Sequence, residues 1–292
     1  MQAVQAADGD DVYLRASALD AALSMLAAGP CRILAGGTDV YPALQDRPLI
    51  GRVLDISGIV DLRVIKQSDE YWSIGAAVSW RDVIRADLPP AFDGLKAAAG
   101  EVGSWQIQNR ATLVGNICNA SPAADGVPAL LTMDAAVELQ SCRGRRVVPL
   151  ASFITGNRKT VRAEDEMVSA ILVPNTATAG QGYFYKLGAR RYLVISIGMV
   201  AMRLLCDTEQ TIAEIAIAVG ACSEVATRLD DLERHLCGQP LVGAADLVLA
   251  AHFANLSPID DVRAPASYRI EAVEEAVRRL LITAGSDMGQ VN

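Results

Sequence analysis

The spacing of apolar positions divides the first half of the chain into short elements. Leu19, Ala22, Leu23 and Leu26 recur at helical intervals behind Ser17 and Asp20, a pair that reads as a helix start, and Gly29-Pro30 stops the run. Residues 31–35 are a compact apolar run, read as a buried strand that delivers the chain into Gly36-Gly37. Residues 53–56 make a second short strand, and residues 71–76 a third that leads to a helix start over 79–82. Phe92, Leu95, Ala99 and Val102 share one helix face, and residues 128–133 form another short helix. Residues 136–140 and 145–148 then read as a hairpin across Cys142-Arg143-Gly144, with Arg143, Arg145 and Arg146 at its solvated tip.

The pattern changes after residues 174–182, a stretch rich in Thr, Ala and Gly that reads as a linker. Residues 183–187, 195–205 and 211–219 predict strands, the last alternating through Ile215, Ile217 and Val219. Val225, Leu229, Leu232 and Leu236 give a helix face closed by Gly238-Gln239-Pro240. Residues 244–254 and 268–284 predict two further helices, with a tail that frays after Gly285. Strands followed by helices, without strict βαβ alternation, indicate an α+β fold. No GxGxxG opens a helix after a strand, so a dinucleotide fold of that kind is unsupported.

Composition narrows the function. The 292 residues are 51% hydrophobic and 21% charged, enough for a buried core and more than one domain. A formal net charge of −8 argues against a nucleic-acid partner, which needs basic patches. No run reaches the roughly 18 apolar residues of a membrane span. The acidic start lacks the basic and apolar regions of a signal peptide, so the expected location is the cytoplasm. Six cysteines, none spaced for a metal cluster, read as small buried hydrophobes. His235 and His252 lie in separate segments without a third ligand, so no metal site is expected. No Ser-His-Asp, Cys-His or HExxH arrangement offers side-chain catalysis.

Two stretches carry the chemistry: residues 33–39, ILAGGTD, and residues 111–125, ATLVGNICNASPAAD. Each sets glycine and small hydroxyl or amide residues directly after a short apolar run. Glycine permits φ > 0 and close approach of the backbone, so successive N–H groups can converge on an anion. Thr and Asn add side-chain donors. One such loop is an ordinary turn; two of them in one domain suggest a diphosphate held from both sides.

The pair resembles the FAD-binding medium subunit of the molybdenum hydroxylases, the xanthine dehydrogenase and carbon monoxide dehydrogenase family. The likeness continues through Val137-Glu138-Leu139, Phe153, the run from Gly156 to Thr160, Glu166-Met167-Val168, Val173-Pro174, Phe184-Tyr185-Lys186 and Tyr268-Arg269, so it covers nearly the whole chain. It implies a two-lobed FAD-binding domain of the PCMH type over residues 8–174, with lobes of about 8–62 and 63–174, and a smaller C-terminal α+β domain over 182–284. The cofactor it implies is FAD, held non-covalently by Ile33, Leu34, Ala35, Gly36, Gly37, Thr38, Asp39, Val40, Val102, Thr112, Val114, Gly115, Asn116, Ile117, Asp125, Val168 and Lys186. Val168 would lie beside the adenine, and Lys186 would reach the flavin. Read from the residues alone, Asp125 is the N-cap of the helix around Pro128, and Lys186 a surface lysine on a strand.

The resemblance also implies partners: a large molybdopterin-binding subunit and a small [2Fe–2S] subunit, assembled as a dimer of heterotrimers. The chain would take electrons from the [2Fe–2S] centres and pass them to an external acceptor. Two other readings stay open, a self-sufficient FAD-dependent oxidoreductase and a non-catalytic nucleotide-binding assembly protein. Two positions depart from the family pattern. Val114 replaces the first glycine of a pair, so its Cβ must point away from any phosphate. Tyr192 and Leu193 stand where relatives that reduce NAD carry an aspartate, in a loop that gates the acceptor.

Overall fold

Three very short strands, β1 (Tyr13–Arg15), β2 (Arg32–Leu34) and β3 (Val53–Asp55), begin the fold as a parallel sheet in the order β1-β3-β2. The computed structural model describes residues 13–190 and 194–290. Helix α1 (Leu19–Ala27) crosses from β1 to β2 and buries Ala22, Leu23 and Leu26, the positions its spacing marks. Its N-cap is Ala18, which makes no side-chain cap bond, so the buried face and not Ser17 with Asp20 places this helix. The lobe is thus locally a crossover unit; the strand that makes it so, β1, is too short to show in the pattern.

The second sheet is antiparallel: β4 (Ile65–Gln67), β5 (Tyr71–Gly75), β6 (Ala136–Ser141), β7 (Gly144–Pro149) and, after the small hairpin of β8 (Ile154–Gly156) and β9 (Lys159–Thr160), β10 (Met167–Pro174). Its order, β4-β5-β10-β6-β7, puts β10 at the centre. Seven short helices complete this part: α2 (Val40–Leu44), which buries no residue, and α3 (Trp80–Arg85), α4 (Asp93–Gly100), α5 (Trp105–Gln108), α6 (Leu113–Asn119), α7 (Gly126–Leu131) and α8 (Leu150–Phe153), each of which does. Ser79 and Asp82 form the capping box of α3. Helix α4 ends at Gly100, so Val102 is not on its face. At the hairpin tip the arginines are exposed but engaged: Arg143 with Asp165 (2.9 Å), Arg145 with Glu138 (2.5 Å) and Arg146 with Glu166 (2.7 Å).

The third sheet runs β11 (Gln181–Leu187), β12 (Gly198–Cys206), β13 (Ile212–Gly220) and β14 (Thr227–Arg228), each antiparallel to the next. Because side chains alternate across a strand, it feeds two cores. Ala201 and Ala218 join the core of the first two sheets. Val200, Met202, Leu204, Ile217 and Val219 face α9 (Asp230–Leu236) and the long α10 (Ala266–Gln290).

Several expectations are corrected here. Helix α9 starts at Asp230, since Thr227 and Arg228 pair with β13. Residues 244–254 are two 3₁₀ turns, Ala244–Leu247 and Ala250–Phe253, interrupted where Val248 and Leu249 are extended. Helix α10 continues past Gly285 to Gln290. The segment 174–182 is packed: Ala177 is buried, and a Cβ on Gly180 would fall 2.2 Å from the Leu204 carbonyl oxygen. Among the cysteines only Cys222 is buried; Cys31 and Cys206 are half-buried, and Cys118, Cys142 and Cys237 are exposed. Their positions explain it, Cys142 in a hairpin turn and Cys118 on a helix bordering the cleft described below. His235 and His252 do lie in separate segments, α9 and the 3₁₀ turn Ala250–Phe253, but their rings meet, Nδ1 to Nε2 at 3.1 Å. No helix among the described residues is long and apolar enough to cross a membrane.

Candidate cofactor-binding site

Gly36 and Gly37 are required for different reasons. A Cβ on Gly36 would fall 1.8 Å from the carbonyl oxygen of Arg110, because the chain entering α6 lies directly against it. That glycine serves a protein contact, where the sequence suggested close approach to a ligand. Gly37 has φ +76, a left-handed conformation that turns the chain from β2 towards α2, and its carbonyl accepts from Tyr41 N. The amides of Gly36, Gly37, Thr38 and Asp39 donate to no other group among the described residues. Unengaged amides in one turn form an anion-binding concavity.

The second stretch is a loop only in its latter part. Thr112 caps α6, its Oγ1 accepting from Gly115 N at 2.9 Å, and Leu113 to Asn119 are helical, ending at a left-handed Ala120. A Cβ on Gly115 would fall 2.8 Å from that capping oxygen, so the glycine leaves the cap its room. Val114 is buried in the core while also bordering the cleft, as its departure from the family pattern demands. Asn116 accepts from Gly126 N (3.3 Å) and ties α6 to α7. Asn119 donates to Asp39 Oδ1 at 2.8 Å and accepts from Arg158, clasping the two stretches together.

At the other end of the cleft Lys186, on β11, points inward. Its Nζ lies 2.9 Å from Asp125 Oδ2 and 3.3 Å from the Glu101 carbonyl oxygen. The lysine and aspartate side chains are 6% and 11% exposed, so Lys186 is no surface lysine. Asp125 occupies the N-cap position of α7 but makes no cap bond; its carboxylate is taken by Lys186 and by Ser196 Oγ, at 3.2 Å from Oδ1. Burial pushes the Asp125 carboxyl upward, opposed by the Lys186 ammonium.

These groups line one cleft of about 630 Å³, a size suited to a cofactor. Every residue the resemblance implied borders it except Leu34 and Ile117, which point into the core. Leu34 alternates with Ile33 along β2, and Ile117 lies on the buried face of α6, so neither side chain can reach the cleft. Val168 arrives with Met167 from β10, and Val102 with Ile107. Sequence reasoning did not place Arg162, Ile195 and Ser196, which reach the cleft from remote segments. Arg158 carried a signal inside a run shared with the family, and Cys118 and Asn119 lie within the second stretch without having been assigned to the site. Tyr192 and Leu193 lie outside the described residues.

Comparison with known proteins gives the same answer over nearly the whole length. Residues 4–176 match the FAD binding domain in molybdopterin dehydrogenase, and residues 183–284 the CO dehydrogenase flavoprotein C-terminal domain. The chain is 29% identical to the nicotine 6-hydroxylase medium subunit of Paenarthrobacter nicotinovorans, covering 87% of this chain and 90% of that one. It is 30% identical to the glyceraldehyde dehydrogenase medium chain of Sulfolobus acidocaldarius, over 90% and 94% of the two chains. The solved structure of reconstituted CO dehydrogenase from Oligotropha carboxidovorans superposes with a TM-score of 0.85 at 24% identity, covering 93% of this chain and 96% of its counterpart. Fold and cleft therefore define an FAD-binding flavoprotein. The chain belongs to the family of FAD-binding subunits of molybdopterin dehydrogenases, which includes the xanthine and carbon monoxide dehydrogenases, and is an oxidoreductase subunit.

Proposed function

We propose that this subunit relays electrons. It receives them from the [2Fe–2S] centres of a small partner subunit, which a large molybdopterin-binding subunit supplies, and delivers them to an external acceptor. The assembly is a dimer of such heterotrimers in the cytoplasm. The observation that carries this reading is the convergence on one cleft of an unengaged backbone turn at Gly36–Asp39 and a buried lysine at position 186. FAD supplies the redox centre when bound, so the protein's tasks are binding, orientation and electrostatics. The free amides and the Thr38 hydroxyl suit a diphosphate; Val40 and Val168 offer an apolar surface for the adenine end. Val102 and Ile107 form an apolar wall towards the flavin, and Lys186 brings positive charge to it. Asp125 and Lys186 neutralise each other and leave no free acid–base pair for an organic substrate, whose hydroxylation falls to the large subunit.

The purified chain is expected to be yellow, and acid precipitation to release all of its flavin into the supernatant, since the groups assigned to FAD are backbone amides, a hydroxyl and an ammonium, which hold it without a covalent bond. Colour retained by the pellet would contradict non-covalent binding. The isolated, flavin-loaded chain is expected to oxidise no purine, aldehyde or N-heterocycle with an artificial dye as acceptor. Turnover in that assay would replace the relay with a self-sufficient oxidoreductase.

A further inference from the structure

The buried lysine does not face the cleft alone. Asp125 uses both carboxylate oxygens inside the protein, Oδ2 for Lys186 and Oδ1 for Ser196, so it cannot rotate away. Ser196 is 1% exposed, and its place is set from outside the cleft. Ile197 N donates to the Leu187 carbonyl at 2.8 Å, and Arg263 Nη1 donates to the Ser196 carbonyl at 2.8 Å. Arg263 is held in turn by Asp261 (Nε to Oδ2, 3.0 Å), which also binds the fully buried Arg269 (2.7 Å). A hydroxyl is the one donor here that can reverse and accept from a protonated carboxyl; a backbone amide cannot.

We propose that Ser196 is a positioning residue acting through Asp125, which takes up a proton when negative charge arrives in the cleft and so frees the full charge of Lys186 to face it. The inference rests on the reading that Lys186 faces bound FAD. While Asp125 is ionised, the pair is neutral. Two electrons and one proton delivered to the ring leave one negative charge beside that pair. The single ammonium then serves two anions at low dielectric, with the Glu101 carboxylate a third charge acting on Asp125 from the end of α4. One further solvent proton on a carboxylate oxygen of Asp125 relieves the repulsion. Electrons and protons balance with no other reactant: two electrons from the donor, one proton to the ring, one to Asp125. Burial already favours the protonated carboxyl.

The test is the midpoint potential of FAD bound to the full-length subunit, measured spectroelectrochemically between about pH 6 and about pH 9. A two-electron couple moves by about 30 mV per pH unit for one proton and about 59 mV for two. The wild type is expected to show a segment near the steeper slope. Asp125→Asn is expected to follow the shallow slope throughout. Ser196→Ala, which withdraws a hydrogen bond from the ionised carboxylate, is expected to move the steep segment to higher pH. A steep segment that survives in Asp125→Asn belongs to the ring itself and overturns the proposal, as does a wild type that is shallow throughout. Should Asp125→Asn shed its flavin, Ser196→Ala decides, and an unmoved profile overturns the proposal. A colourless wild type would overturn the FAD reading as well; a yellow one with profiles indifferent to both substitutions overturns this inference alone.

Discussion

The two ends of the cleft make their contacts with different parts of the chain. At one end Gly36–Asp39 offers backbone amides, held in place by a turn at φ +76 and by the Arg110 carbonyl pressed against Gly36. At the other, Lys186, Asp125 and Ser196 offer side chains drawn from β11, the start of α7 and the approach to β12. A backbone site is indifferent to pH and to most substitutions but fails when a Cβ is added. A side-chain site tolerates steric change better and responds to every change of charge. The proposed function accordingly assigns binding strength mainly to the first end and redox tuning to the second.

Gly36→Ala is the harshest test of that division. The added Cβ meets backbone, which cannot swing aside, so a loss of about 4 kcal/mol or more is expected in urea unfolding. Near-wild-type stability would show that the two stretches are not in backbone contact. Lys186→Met is expected to cost about 3–5 kcal/mol, because it strands a buried carboxylate. The sign of its pH dependence follows from Asp125, whose carboxyl in the folded protein titrates above its unfolded value of about 3.9. The favourable contribution of such a group is complete below the unfolded value and disappears as pH rises through the folded one. The deficit of Lys186→Met is thus expected to be smaller near pH 5 than near pH 8, and an added Asp125→Leu to recover most of it.

Gly37→Ala is milder. A left-handed alanine costs about 1–2 kcal/mol, and the Cβ meets only the exposed ring of Tyr41, which can move. Flavin content after dialysis should fall while the circular dichroism spectrum stays unchanged; full occupancy would remove the turn from the binding site. Thr112→Ala is the smallest, about 1 kcal/mol, read as a melting point lowered by about 2–4 °C. Its hydroxyl serves the Gly115 amide of α6, so flavin content is expected to stay near wild type. Loss of flavin there would turn the cap into a ligand contact.

How much of this the sequence carried depended on whether a residue's partners lie nearby along the chain. The hairpin of β6 and β7 was legible from its single turn, and β13 from the alternation of Ile215, Ile217 and Val219. The central strand β10 was not. Seven of its eight residues are buried, so the run Met-Val-Ser-Ala-Ile-Leu-Val has no polar face to alternate with. Helix α6 was hidden by Gly115, Asn116 and Asn119, poor helix formers over barely two turns. Within the cleft, the glycine turn and Lys186 were legible by resemblance. That Gly36 answers to Arg110, and that Asp125 abandons its capping position for Lys186, are properties of the folded chain that no local spacing encodes.

The contact between α4 and β11 sets a timetable. A Cβ on Gly182 would fall 2.2 Å from the Ala91 carbonyl oxygen, and one on Gly94 would fall 2.9 Å from that of Tyr183, so helix and strand meet backbone to backbone. Lys186 enters the cleft directly from that seam. Chains leave the ribosome N-terminus first, at about 5–20 residues per second. The amide turn, α6 and Asp125 are thus synthesised well before the strand that closes the other end. Until Lys186 and Ser196 emerge and β11 locks onto α4, the nascent cleft is open on one side, with Asp125 uncompensated. Flavin loading is accordingly expected to follow the emergence of β11, and a chain truncated before residue 186 is expected to purify with less flavin than the full chain, read from its absorbance.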